Sequence, residues 1–275
     1  MAKKNARDSR IWLSIQKEKK EKRKYVLISC ASLLTFLLIW ELCTDILKLA
    51  PSYAMPSPLK VFRSFVAKLY QTAPDGSTLP VHIGVSVYTA LLGFLMGAVI
   101  GSPLGILMAW FKTLDRIVKP VFDVLRPIPP IAWIPIMLVV LGIGTASKVA
   151  VIFMASFVPC VINAYSGIKQ TNEVHIWVGK TFGASRSQLL FRVAIPTAMP
   201  MIFTGIKVSL GASWMALVAA ELLASSSGLG YMIQIARSVG RADIIIVGML
   251  MIGVISMLFS AALEYLERRF VKGVK

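Results

Sequence analysis

Lys207 and Glu221 are ionisable residues inside one long apolar stretch, Met199 to Leu223. Charged groups are costly in hydrocarbon, so such residues count first as functional candidates. They stand fourteen positions apart, about 21 Å along a helix, and so do not pair with each other. Lys207, near one end of the stretch, can snorkel to the surface. Glu221, near the other, can bond a neighbouring helix or the following Gly-Leu-Gly turn, or take part in gating. The remaining reactive side chains are sparse. Cys30, Cys43 and Cys160 have no metal-ligand spacing, and His82 and His175 lie far apart in the chain. The cysteines read as buried apolar residues. Gly179-Lys180-Thr181 resembles the end of a phosphate-binding loop, but the first glycine of that motif would fall at Val174 and no strand precedes it. Nucleotide chemistry therefore belongs to another polypeptide, and no nucleophile with its base is evident.

The elements around these residues are membrane elements. Of the 275 residues 56% are hydrophobic and 16% charged, and the apolar ones fall in continuous blocks. A crossing needs roughly 20 mostly apolar residues. The blocks run Tyr25 to Leu47, Gly84 to Trp110, Ile128 to Leu141, Val149 to Ile168, Met199 to Leu223 and Ile244 to Leu266, which predicts an all-α protein of six transmembrane helices. The formal charge of +17 would suit nucleic acid, but its distribution does not. Ten Lys/Arg precede Tyr25, four lie between Phe111 and Pro127, four between Lys169 and Pro196, and four follow Leu266. The alternate segments hold only Lys48, Lys60, Arg63, Lys68, Lys148, Arg237 and Arg241. By the positive-inside rule both termini are cytoplasmic. The basic arm from Lys3 to Lys24 is too long for a signal-peptide n-region, so the first helix is expected to be retained. The arm enforces topology or touches anionic membrane lipid.

The chain thus divides into a basic arm (1–24), a first helix (25–47), an external segment (48–83), a core (84–268) and a cytoplasmic tail (269–275). In the external segment, Leu59, Val61, Phe62, Phe65, Val66 and Leu69 alternate with Lys60, Arg63 and Lys68 at near-helical spacing, predicting a short amphipathic helix on the outer surface. Gly93, Gly97, Gly101 and Gly105 recur at intervals of four, a face for close helix packing.

The segment from Arg126 reads RPIPPIAWIPI. Its prolines lack backbone donors and clash with a preceding helical turn. A broken backbone at membrane depth is tolerated only against protein or a water-filled cavity. Pro129, Pro130 and Trp133 are therefore placed beside a transport pathway; the alternative is a cytoplasmic loop followed by a short ordinary span. Trp133 and Trp214 can line the pathway or pack and anchor. Ser156, Asn163 and Ser213 are polar candidates at similar depth, or helix–helix hydrogen bonds. Gly228 and Gly230 belong to an external turn that suits a gate, a protein contact or a plain connection. In the polar loop from Lys169 to Pro196, Trp177, Thr181, Ala184, Leu189 and Phe191 can lie along helices presented to a cytoplasmic partner.

That loop resembles the cytoplasmic loop of bacterial ABC importer permeases, in which Glu-Ala-Ala, three residues, Gly and nine residues lead to Ile-x-Leu-Pro. Here Gly183 is followed at the matching interval by Val193, Ile195 and Pro196. Trp177, Val178 and Gly179 replace the Glu-Ala-Ala, and Glu173 is out of register, so that glutamate's contact does not carry over. MPSPLKV at Met55, RPIPPIAWIPI, FGASRSQLLFRVAIP at Phe182, GASWMALVAAELL at Gly211 and SSSGLGYMI near Ser226 resemble in order the nitrate, sulfonate and taurine branch. The resemblance runs from about Pro51 to Phe270. It implies the type I permease fold and a homodimer that works with two ATPase subunits and an extracytoplasmic binding protein. It further implies that ATP and Mg2+ bind the ATPase, that this chain carries no cofactor and no catalysis, and that the solute is a small anion. The loop from Trp177 to Arg192 would supply a coupling helix, with Phe182 as the anchor buried in the ATPase, Gly183 and Ala184 as the tight turn, and Lys180 and Arg186 as rim contacts. An ion-coupled secondary carrier is the rival reading; it needs a midplane carboxylate, for which Glu221 is the candidate, and commonly an internal repeat, which is not seen.

Overall fold

A computed structural model describes residues 21, 24, 25, 27–49, 51 and 54–270, the side chain of Phe270 excepted. The basic arm, Glu21 and Lys24 apart, and the tail after Phe270 lie outside the described residues. Two compact units divide the chain after Ser64. The first holds α1 (Leu27–Ile46), which ends in a π-helical turn, and the start of α2. The amphipathic helix expected in the external segment is α2 (Pro58–Tyr70).

The second unit is a helical bundle. Its long members are α3 (Leu79–Trp110), α6 (Thr145–Lys169), α9 (Ile195–Leu223) and α11 (Ala242–Phe270). A Cβ added at Gly93 would meet Ile152, at Gly97 Ser156, at Gly101 the Phe157 carbonyl and at Gly105 the Val161 carbonyl. The glycine face is thus the seam along which the α3 backbone approaches α6, as expected where lipid offers no hydrophobic drive and dispersion decides. The rising order of both sets of numbers means that α3 and α6 run parallel. α9 runs antiparallel to α6: Gly205 lies against Asn163, and Gly167 against Ala198. α11 is antiparallel to α9, since Trp214 reaches Ile252 while Lys207 reaches Glu267.

Parallel α3 and α6 require the chain to return the full height of the bundle between Trp110 and Thr145. It does so in two pieces. The segment from Phe111 to Pro127, read from sequence as a connection, is mostly α4 (Lys112–Leu125). A 3-10 turn (Pro130–Trp133) and α5 (Ile134–Leu141) follow, bent by 85° from α4. The predicted span Ile128 to Leu141 is corrected accordingly. α5, at eight residues, covers about 12 Å, well short of the roughly 30 Å hydrocarbon core. Among the described residues five helices are long and apolar enough to cross by themselves, and counting the bent α4–α5 pair as one broken span brings the number to six.

At one end of the bundle α7 (Glu173–Thr181) and α8 (Arg186–Leu189) precede α9, which they enter through a π-helical turn. At the opposite end, residues 224–241 carry α10 (Leu229–Ser238).

Candidate functional site

The bent crossing supplies the first part of the site. α4 stops because Pro127, Pro129 and Pro130 remove donors and oppose the helical conformation of the residues before them. Pro127, Ile128, Pro129, Ile131 and Ala132 remain exposed on the protomer, while Pro130 is half-buried. Trp133 is half-buried beside a cluster of Ile134, Val151, Ala155, Ala216 and Ala220. Val151 and Ala155 belong to α6 and Ala216 and Ala220 to α9, so the break sits alongside these two spans, where its polar backbone must face protein or water.

The other pathway candidates separate from it. Asn163 is half-buried, donates to the Pro159 carbonyl at 2.9 Å and lies where α6 meets Gly205 of α9. Ser156 is fully buried and donates to the Phe94 carbonyl, tying α6 to α3. Trp214 is buried, donates to the Ile252 carbonyl at 3.1 Å and meets Phe259 edge-on. Ser213 is also buried, and its hydroxyl has no partner among the described residues. Ser156 and Ser213 have no surface in the single chain from which to touch a solute, and Trp214 faces only a cavity of about 220 Å³ between α9 and α11.

The second part is the α7–α8 segment. Asn172 caps α7 through its side chain, and Ser185 and Gln188 form a reciprocal capping box on α8. Between them Gly183 takes φ 75°, a left-handed turn that favours glycine. Ala184 donates to the Gly179 carbonyl and Gly183 to that of Lys180, closing the turn. Thr181 donates to the Trp177 carbonyl and faces no other element through that bond. Leu189, expected on the presented face, is instead buried against Gly179, because it is the plug between α7 and α8. With that interior filled, Phe182 is left 86% exposed and Trp177 59% exposed. Lys180 and Arg186 are also exposed, on the flank of the turn.

The third part, at the opposite end, was signalled in the sequence by Glu221, but its partners Ser86, His82 and Asp75 were not. Glu221 is buried and accepts from Ser86 Oγ at 2.9 Å and from the Gly230 amide at 2.9 Å. Ser86 Oγ in turn accepts from the Leu229 amide at 2.8 Å. The Gly228 amide donates to Nδ1 of His82, which puts the proton of a neutral ring on Nε2, 3.3 Å from Asp75 Oδ2. Asp75 also pairs with Lys68, whose ammonium donates to the carbonyls of Thr72, Ala73 and Ser77. Lys68, expected on a solvent face, is buried because this carbonyl cage replaces its water. Lys148 donates to Ser225 in the same turn at 3.0 Å. In the sequence the signals were Glu221, an ionisable residue in an apolar span whose expected alternatives included a bond to a neighbouring helix or to the Gly-Leu-Gly turn, and the density of small and polar residues at 225–230. Among the described residues, Lys207 pairs with Glu267 of α11.

A helix break within a bundle of apolar spans, a turn with two exposed aromatic side chains and a terminal loop held by buried polar groups describe a membrane subunit better than a reaction centre. The sequence model of the binding-protein-dependent transport system inner membrane component family matches residues 101–275. The chain belongs to this family. It is 34% identical over 249 residues to the taurine transport system permease protein TauC of Escherichia coli (strain K12), covering 90% of this chain and 89% of that one. It is 31% identical over 247 residues to the nitrate import permease protein NrtB of Synechocystis sp., covering 88% of each. A solved structure of the MetNI methionine ABC transporter in an inward-facing conformation superposes with TM-score 0.60 at 18% identity, over 68% of this chain and 93% of that chain. That likeness is one of fold, the type I importer permease. This permease is therefore a multi-pass inner-membrane subunit of an ABC importer.

Proposed function

We propose that two copies of this permease form the pathway for a small oxyanion-bearing solute, and that each docks a cytoplasmic ATPase through the α7–Gly183–α8 turn. The carrying observation is the pair Trp177 and Phe182, two large aromatic side chains left exposed on a turn whose own interior is filled by Leu189. Aromatic anchors of this kind dominate interface energies once buried in a partner's pocket. In this reading the ATPase binds ATP and Mg2+, and its closure moves the docking turns so that the copies rock between outward and inward openings. The chain performs no catalysis. Both termini lie in the cytoplasm, following the basic residues, and an extracytoplasmic binding protein delivers the solute to the end that carries α10. The family description names such a protein. The two relatives named for taurine and nitrate support a small solute that bears an oxyanion group, since a sulfonate and a nitrate share trigonally arranged oxygens and a delocalised negative charge. The rival ion-coupled carrier would need Glu221 free to exchange protons; it is instead engaged by Ser86 and Gly230 near one end of α9.

The test is co-purification of the tagged chain with the ATPase encoded beside it, and ATP hydrolysis of the complex in lipid. Wild type should bring down an active ATPase and Gly183→Arg should not. A stable wild-type chain that binds no ATPase sinks the reading.

A further inference from the structure

A second feature of the basic end is a cleft of about 480 Å³ between the α3–α4 corner and the α7–α8 segment. Its walls carry Trp110, Phe111 and Leu189 beside three cations, Lys112, Lys180 and Arg186. No acidic residue lines it, and none of the three cations makes an ion pair with a described residue. Asp115, the nearest acid on α4, is engaged elsewhere, accepting from the Tyr165 hydroxyl of α6 at 3.2 Å. Trp110 ends a 32-residue apolar helix, which sets it and Phe111 at a membrane–water boundary, the depth that aromatic residues favour. The charges therefore converge just outside the hydrocarbon, with an aromatic wall beside them.

We propose that this cleft binds the phosphate headgroup of an anionic phospholipid from the leaflet on the α7 side. Three cations without internal partners suit one phosphodiester, and Trp110 and Phe111 take the glycerol and first acyl carbons. A soluble anion would have no use for that apolar wall. The lipid then bridges α4, which leads into the bent crossing, and α7–α8. Lys180 and Arg186 also belong to the segment assigned above to ATPase docking, whereas Lys112 lies outside it, so the inference rests on the membrane placement of α3 and is tested first at Lys112.

The experiment is native mass spectrometry of the purified full-length chain released from mixed phosphatidylcholine and phosphatidylglycerol micelles. Wild type should retain phosphatidylglycerol selectively. Lys112→Gln should weaken retention about fivefold, and the triple Lys112→Gln, Lys180→Gln, Arg186→Gln variant about a hundredfold, near one charge contribution per side chain. Arg116→Gln, on α4 but outside the cleft, should retain lipid like wild type. Lys112→Gln should still bring down the ATPase, which separates failure here from failure of the docking proposal. Equal retention by wild type and the triple variant overturns the site. Displacement of phosphatidylglycerol by millimolar inorganic phosphate, or by the ATPase subunit, overturns the lipid as its occupant in favour of a free anion or an acidic protein surface.

Discussion

Ser86 and Glu221 lie 135 positions apart, yet the serine hydroxyl stands 2.9 Å from each carboxylate oxygen in a fully buried contact between α3 and α9. The same hydroxyl accepts from the Leu229 amide, and the same carboxylate from the Gly230 amide. Two side chains thus hold the start of α10 against two helices. Buried backbone amides are costly to leave unpaired, so the pair sets where the terminal turn can go.

Glu221→Ala removes the acceptor for one hydroxyl and one amide at once. About 3 kcal/mol of stability should go with it, at the usual cost of orphaned buried donors. Thermal unfolding in detergent should show a lower midpoint than wild type, and Glu221→Gln, which keeps one acceptor oxygen, should recover part of the loss. An unchanged midpoint for the alanine variant refutes the role assigned to the carboxylate.

Two glycines of α3 should respond in opposite ways to one added methyl. At Gly97 the new Cβ would overlap Ser156 and crowd the Phe157 amide, whereas at Gly84 it meets nothing. Gly97→Ala should destabilise by roughly 1–3 kcal/mol, the usual cost of overpacking. Gly84→Ala should be neutral or stabilise slightly through helix propensity. Similar melting curves for the two variants would remove the close α3–α6 seam from the fold.

Phe182→Ala separates docking from folding. The side chain is 86% exposed, so the melting temperature of the isolated permease should not move. Affinity for the ATPase should fall by about 2 kcal/mol, some thirtyfold, as for an interface anchor. Titration of labelled ATPase onto nanodisc-held permease measures this; equal affinity for wild type and variant argues against an anchor at this position.

Lys207 and Glu267 join α9 to α11, and Glu267 is the more buried partner. Lys207→Met should destabilise by about 1–3 kcal/mol, below the range for a fully buried pair because the lysine is partly exposed. Adding Glu267→Leu should restore most of it, since the stranded charge is then gone. Additive losses in the double variant would mean that the two residues act independently.

Much of this architecture is legible along the chain. Block length fixes five crossings, because a helix must be long enough to satisfy its backbone across hydrocarbon. The interval of four between Gly93 and Gly105 marks the seam, since that spacing keeps one helix face clear. Four prolines after Arg126 announce the break. Gly183 marks the tight turn between α7 and α8 through the conformation that only glycine adopts without strain. Each of these is a local rule, readable within a few turns of chain.

What the chain alone does not carry is the pairing of distant residues. Lys68 looked like a solvent-face lysine until the fold brought Asp75 and three carbonyls around it. Leu189 looked presented until α8 folded back on Gly179. The α4 helix was hidden because its charged and apolar arcs average to a loop-like composition, and its second apolar arc gains meaning only when Phe122 packs on Val161. Glu221 stands out alone as an ionisable residue in an apolar span, but His82 and Ser86 do not, and only the register of α3 against α9, set by side-chain packing across the bundle, places the three at one turn. Sequence determined five of the spans, the seam, the break and the tight turn at Gly183, since each follows from backbone geometry and local hydrophobic length; tertiary structure decided how α4 and α5 pair across the break and which buried polar groups meet, since these depend on helix register and depth.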